Sequence, residues 1–180
     1  MTSDAFPSAE LHVIGDPGPA SRFMGHSSDK VVIHGKLSHH QLAQLLGVMD
    51  CLVLPSRLES FGMVVVEALA AGIPAIVTPT VGAAEVIRAG ENGWIVPVGS
   101  ADALSKQMSS CCGEPDRARA MRADCTASAA RHQWVDYRRR MLNIVEAVAD
   151  PNRESGDNCE AFSFVRNRDA ITAPERAYPN

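Results

Sequence analysis

Asp50-Cys51-Leu52-Val53-Leu54-Pro55-Ser56-Arg57-Leu58-Glu59-Ser60-Phe61-Gly62-Met63-Val64-Val65-Val66-Glu67-Ala68-Leu69-Ala70-Ala71-Gly72-Ile73-Pro74 is the stretch whose reading decides the fold. The apolar run Cys51 to Leu54 stops at Pro55-Ser56 and reads as a buried parallel strand followed by a loop. Gly62 to Ala71 reads as a helix, closed by Gly72 at C′ and by Pro74. The loop carries Glu59 and the helix carries Glu67, eight positions later. Two carboxylates spaced in this way can bind two different parts of one polyhydroxylated ligand.

Outward from this stretch, short apolar runs alternate with helical periodicity. Leu11-His12-Val13-Ile14 ends at Gly15-Asp16-Pro17-Gly18-Pro19, and Val31-Val32-Ile33 ends at His34-Gly35. Ala75-Ile76-Val77 and Trp94-Ile95-Val96 are two further strand candidates, the second preceded by the turn Glu91-Asn92-Gly93. Ser38-His39-His40-Gln41 fits a capping box, with Leu42, Leu45, Leu46 and Met49 following at helical spacing. Helices are also predicted over Ala83 to Ala89, Ala101 to Cys112, Asp116 to about Arg131, and Trp134 to Val148. In the last, Trp134, Tyr137, Met141, Ile144, Val145 and Val148 form one apolar stripe. Strands alternating with helices imply an α/β fold with a doubly wound, Rossmann-like parallel sheet.

The 180 residues, 46% of them hydrophobic, suffice for one domain with a real core. A net charge of -4 argues against a broad nucleic-acid footprint, and no nucleic-acid partner is expected. Residues 1–9 are polar and are expected to be disordered, as is the tail over residues 150–180, leaving 10–149 as the folded domain. The beginning of the chain has no apolar signal-peptide core, and the longest apolar stretch, Met63 to Val77, is too short to span a bilayer, so a cytoplasmic location is expected. The five cysteines lack C-x-x-C spacing and indicate reduced, mostly buried thiols rather than a disulfide framework or a zinc site. His39-His40 reads as solvated capping residues, not as metal ligands, and His12 and His34 as packed residues. Arg138-Arg139-Arg140 could support peripheral membrane association, although a solvated helix face is the default with Asp136, Glu146 and Asp150 flanking it.

In a doubly wound sheet, ligands collect at the carboxyl ends of the strands, where helix N-termini point free amides into the crevice. The loop after Leu54 is such a place. Gly62 allows close backbone approach, and the amides of Gly62, Met63 and Val64 would be unpaired donors suited to a diphosphate. Glu67 could accept from two vicinal hydroxyls, as on a ribose, or could face solvent or a basic residue instead.

The segment from Asp50 to Pro74 resembles the E-x7-E signature of retaining nucleotide-sugar glycosyltransferases of the two-domain GT-B type, the group 1 (family 4) class. It joins D-x-x-x-x-P-S, E-x-F-G, E-A-x-A-x-G and x-P in the same order. The similarity extends to Ile14-Gly15-Asp16-Pro17-Gly18-Pro19, Val31 to Ser38, Thr80 to Ile87 and Gly90 to Pro97, and so from roughly Leu11 to Val148. The resemblance implies that Glu59 is catalytic, binding donor-sugar hydroxyls and favouring positive charge at the anomeric carbon. It implies that Glu67 holds the ribose, that the backbone of Phe61, Gly62 and Met63 lines the sugar-diphosphate site, and that Lys36 and Leu37 lie near the base. No metal and no cofactor are implied. The donor would be a nucleotide diphosphate sugar, and the acceptor a sugar, lipid or glycan receiving a hexosyl unit with retention of configuration.

The chain departs from that pattern at its start. The G-R-x-x-x-x-K-G segment, the N-terminal acceptor domain and the first strand of the donor domain have no counterpart before Leu11. In a 3-2-1-4-5-6 order that first strand is central, so Leu11–Ile14 and Cys51–Leu54 are expected to have no strand between them. The expected product is a partial donor-binding domain over residues 10–149. The rival readings are an inactive or split module that needs a separate N-terminal acceptor domain, and an epimerase or glycogen-synthase-like enzyme of the same fold.

Overall fold

The computed structural model describes residues 9–16, 18 and 30–149, and the expectations for 1–8 and for 150–180 lie outside them. Residues up to Tyr137 form one compact unit and those from Arg138 a second. In the first unit, β1 (Leu11–Ile14) and β2 (Val31–Gly35) are followed by α1 (His39–Leu46), β3 (Leu52–Leu54), α2 (Met63–Ala70), β4 (Ala75–Val77) and β5 (Gly93–Ile95). Then come α3 (Ala101–Gly113), α4 (Pro115–Ala120), α5 (Arg122–Ala130) and α6 (Trp134–Ala149), the last crossing the unit boundary.

Among the described residues all strand pairs are parallel, and they form two sheets: β1-β2, and β3-β4-β5. Among the described residues no strand pairs with both β1 and β3, which is where the break between Leu11–Ile14 and Cys51–Leu54 was expected. The energetic consequence is visible in the burial. The core draws on β4, α2, α5 and the segment Val81 to Ile87, with Val65, Leu69, Val77, Met121 and Cys125 at its centre. By contrast, β1 and β2 contain no buried residue, and Leu11, Ile14 and Ile33 are exposed, whereas strands of a doubly covered parallel sheet are normally buried on both faces. Across β1-β2 the rings of His12 and His34 stack at 5.1 Å between centroids, with Nδ1 of His12 2.8 Å from Nε2 of His34.

Local signals explain most element ends. Ser38 caps α1 with the full capping box, its hydroxyl accepting from the Gln41 amide and the Gln41 side chain accepting from the Ser38 amide. Ser100 caps α3 through the Ala103 amide. Two helix predictions are corrected. Ala83 to Ala89 is instead a 3-10 helix over Gly82–Val86, because Ala89 is drawn into a bridge with Gly93. Asp116 to Arg131 is two helices, α4 and α5, broken at Met121, where neither glycine nor proline marks the break. The stripe on α6 is present, and its side chains are exposed, from Ile144 at 36% to Val148 at 67%.

The turn before β5 is held by Asn92, which is fully buried. Its Oδ1 accepts from the Arg88 amide at 2.7 Å, and its Nδ2 donates to the Val86 carbonyl at 3.0 Å and to Ser128 Oγ at 2.9 Å. Replacing it with alanine would take this partner from the buried Val86 carbonyl and from the part-buried Arg88 amide, and would remove one of the two hydrogen bonds to Ser128 Oγ. Asn92→Ala is expected to lower unfolding free energy by about 3 kcal/mol in urea denaturation, with the m-value unchanged.

Candidate functional site

The site elements meet at the carboxyl edge of β3-β4-β5. Glu59 lies on the loop that leaves β3, and its backbone forms a parallel bridge with Val81. The Glu59 amide donates to the Thr80 carbonyl and its carbonyl accepts from the Gly82 amide, each at 3.2 Å, while the Ala83 amide donates to the Phe61 carbonyl at 2.7 Å. Upstream, the Ser56 carbonyl accepts from both Thr78 Oγ1 and Thr80 Oγ1. The loops after β3 and β4 are therefore joined at both ends, which fixes the backbone that carries Glu59. The Glu59 side chain is half-buried, with Ser60 Oγ 3.4 Å from its Oε1.

Gly62 turns the chain from this loop into α2. Its φ of 83° and ψ of 59° are left-handed, and a Cβ there would lie 2.9 Å from Val81 Cγ1, 3.1 Å from Leu54 Cδ2 and 3.3 Å from Glu59 Cγ. Backbone conformation and crowding both select glycine. No side chain caps the first turn of α2, so its leading amides keep their donor capacity at the positive end of the helix. Phe61 packs against the main core and Met63 is exposed at the first helical position.

Glu67 is not a deeply buried carboxylate. Val65, Ala68 and Leu69 take the core face of α2, and Glu67 turns toward α1, its side chain 36% exposed and its Oε1 3.7 Å from Nδ1 of His39. Beside this pair a groove of about 330 Å³ runs between α1 and α2, lined by His39, Leu42, Leu46, Glu67 and Ala70. Lys36, exposed, and Leu37, half-buried, form the loop that leads into α1. His39 lies two residues beyond Leu37, so its approach to Glu67 brings this loop near α2. The His39 side chain is 96% exposed, in keeping with its reading as a solvated residue of the capped turn.

The predicted site residues accordingly fall into two groups. Glu59, Phe61, Gly62 and Met63 share the β3–α2 connection, while Glu67, Lys36 and Leu37 gather around α1. Thr78, Thr80 and Gly82 also build the site; Thr80 and Gly82 lie in the Thr80 to Ile87 segment that resembles the family, and none of the three is among the predicted site residues. A cluster of hydroxyl and glycine residues directly after a predicted strand was the available signal. Among the described residues no group of three His, Cys, Asp or Glu side chains could hold a metal ion, and no helix is long and apolar enough to cross a membrane.

The model of the family described as glycosyl transferases group 1 matches residues 5–130. N-acetyl-alpha-D-glucosaminyl L-malate synthase of Bacillus anthracis is 39% identical over 82 residues, 46% of this chain and 21% of that protein. D-inositol 3-phosphate glycosyltransferase 1 of Catenulispora acidiphila is 28% identical over 149 residues, covering 82% of this chain and 35% of that one. In three dimensions the chain is similar to sucrose-phosphate synthase from Thermosynechococcus elongatus, with a TM-score of 0.72 and 24% identity over 82% of this chain and 40% of that one. It is also similar to Anabaena HepE in complex with UDP-glucose, with a TM-score of 0.67 and 20% identity over 80% of this chain and 43% of that one. The chain thus spans only a fifth to a little over two fifths of these relatives. The α/β fold with parallel strands matches GT-B glycosyltransferase structures, and the chain belongs to the group 1 glycosyl transferase family.

Proposed function

We propose that this chain supplies the donor-binding part of a retaining glycosyltransferase, which moves a hexosyl unit from a nucleotide diphosphate sugar to a sugar, lipid or glycan acceptor. The observation that carries this reading is the bridge between Glu59 and Val81, which fixes a carboxylate beside the uncapped start of α2. In this reading the donor diphosphate lies against the backbone of Phe61, Gly62 and Met63, where amides and helix dipole favour negative charge. Glu59 faces the sugar and stabilises positive charge developing at the anomeric carbon. Glu67 accepts from the ribose hydroxyls, and Lys36 and Leu37 contact the base. The UDP-glucose held by the HepE neighbour supports a donor of this class. The setting is cytoplasmic, in keeping with the free cysteines among the described residues.

A second reading is favoured by the divided sheet: a binding module that works only with a separately supplied N-terminal acceptor domain. Among the described residues β1 and β3 each pair on one side only. A parallel strand contributed from outside residues 10–149 would join the two sheets.

The role of Glu67 is tested by titrating the full chain with UDP and with its 2′-deoxy analogue. The chain is expected to bind UDP about tenfold or more tightly than the analogue, and Glu67→Ala is expected to lose that preference. A Glu67→Ala protein that still distinguishes the two nucleotides would remove Glu67 from the ribose.

A further inference from the structure

At the amino edge of β3-β4-β5, opposite the Glu59 loop, lies a cavity of about 280 Å³. Three connections line it: Gly47 to Asp50 between α1 and β3, Gly72 and Pro74 between α2 and β4, and Arg119 and Arg122 on either side of the break between α4 and α5. The Leu52 amide donates to the Pro74 carbonyl at 3.0 Å and so joins the first two. Gly72 ends α2 in a Schellman turn with φ at 79°, its amide donating to the Leu69 carbonyl and that of Ile73 to the Ala68 carbonyl, each at 2.9 Å.

The stem of Arg122 lies directly on this turn, for a Cβ at Gly72 would meet Arg122 Cγ at 2.7 Å and its Cδ and Nε at 3.4 Å. Met121 keeps a right-handed helical φ of -73° and ψ of -8°, so Arg119 and Arg122, three positions apart, stay on one side of the chain. Arg119 Nη1 lies 3.3 Å from Asp116 Oδ1, but both side chains are well exposed and such a pair holds its arginine weakly. Among the described residues Arg122 and Asp50, both exposed, make no ion pair. A cation and an anion thus line one cavity without neutralising each other.

The geometry points to a second ligand site in this cavity, for the phosphate monoester of a small polyol. The arginines take the phosphate, because a guanidinium stays charged and presents a planar fork of N–H donors that matches phosphate oxygens. Asp50 serves the rest of the ligand: a carboxylate repels phosphate but accepts from hydroxyls, two vicinal ones at once. Inorganic phosphate engages only the arginines and a neutral sugar only Asp50, whereas a polyol phosphate engages both. The volume falls just below the range of about 300–1,000 Å³ usual for small-molecule pockets, which suits a ligand of this size. Glu59 and the start of α2 belong to the other edge of the sheet, so a nucleotide there and a phosphate ester here can be held together.

The test is titration calorimetry of the full chain with glucose 6-phosphate and with inorganic phosphate, the Tm of each variant being read alongside. Saturable one-to-one binding of glucose 6-phosphate, about tenfold or more tighter than that of inorganic phosphate, is expected. Arg122→Gln, which keeps the stem over Gly72, is expected to weaken it about tenfold or more, and Arg119→Gln to weaken it less. Asp50→Ala is expected to bring glucose 6-phosphate to the level of inorganic phosphate, whose own binding does not weaken. Arg88→Gln, in the exposed pair with Glu91, is the charge control and is expected to change neither. Folded protein that does not bind glucose 6-phosphate saturably, or binds it no tighter than inorganic phosphate, overturns the proposal. Binding that survives both Arg122→Gln and Arg119→Gln, or that UDP displaces, overturns it equally.

Discussion

Gly82→Ala is expected to destabilise the protein by about 3 kcal/mol or more, a Tm loss of roughly 6–12 °C, and to weaken any ligand held by the Glu59 loop. A Cβ at this position would fall on the Ser60 carbonyl oxygen and come 2.9 Å from Phe61 Cα and 3.2 Å from the Ser60 carbonyl carbon. These atoms are backbone, so no side-chain rotation relieves the contact. The loop from Glu59 to Phe61 would have to move away from Thr80 to Ala83, at the expense of the three backbone hydrogen bonds that join them. Gly47→Ala is the matched control. Gly47 has an ordinary φ of -60°, and the nearest atom to its Cβ would be the Gln44 carbonyl oxygen at 3.4 Å. Its expected effect is within about 0.5 kcal/mol, read in the same thermal melts. Equal losses for the two variants would show that the loop is not held by the Gly82 contact.

Glu59→Ala, in an enzyme completed by its acceptor domain, is expected to reduce transfer by about 1,000-fold, some 4 kcal/mol of transition-state stabilisation. Stability is expected to change little, because Glu59 ties its loop to Val81 through its amide and carbonyl, which the substitution keeps. The effect should therefore appear in kcat with Tm within about 2 °C of the parent. Glu59→Gln separates charge from shape: it retains the side-chain volume and hydrogen-bonding capacity but not the negative charge, and is expected to lose activity nearly as far. A Glu59→Ala enzyme transferring at the parent rate would exclude the carboxylate from the reaction.

Much of this arrangement is legible in the sequence because it is local. The strand core Ala75–Val77 is an uninterrupted apolar run, Leu11–Ile14 is broken only by His12, and Ser38 with Gln41 announces α1 by a reciprocal cap. The glycine at the entry to α2 is likewise legible, since a Phe-Gly pair between a strand and an apolar helix leaves little other use for the residue. The clamps on Ser56 are not legible, because Thr78 and Thr80 reach it across 22 and 24 positions, and no periodicity encodes a hydrogen bond between two loops. The orientation of Glu67 is also tertiary. Its neighbours are nearly all apolar, so only the packing of Val65, Ala68 and Leu69 reveals which side faces α1. The break at Met121 has no sequence marker, and the buried positions 118, 121, 125 and 129 continue across it as one stripe. The division into two sheets followed from the order of the strands, and the exposed residues on β1 and β2 are its packing consequence.

Both carboxylates acquire their proposed roles from one claim, that this chain binds the nucleotide-sugar donor. Titration calorimetry of the full chain with UDP-glucose, UDP-N-acetylglucosamine and GDP-mannose tests it most directly. Saturable one-to-one binding of at least one of the three, weakened by Glu67→Ala, is the expected result. A folded chain that binds none of them would contradict it.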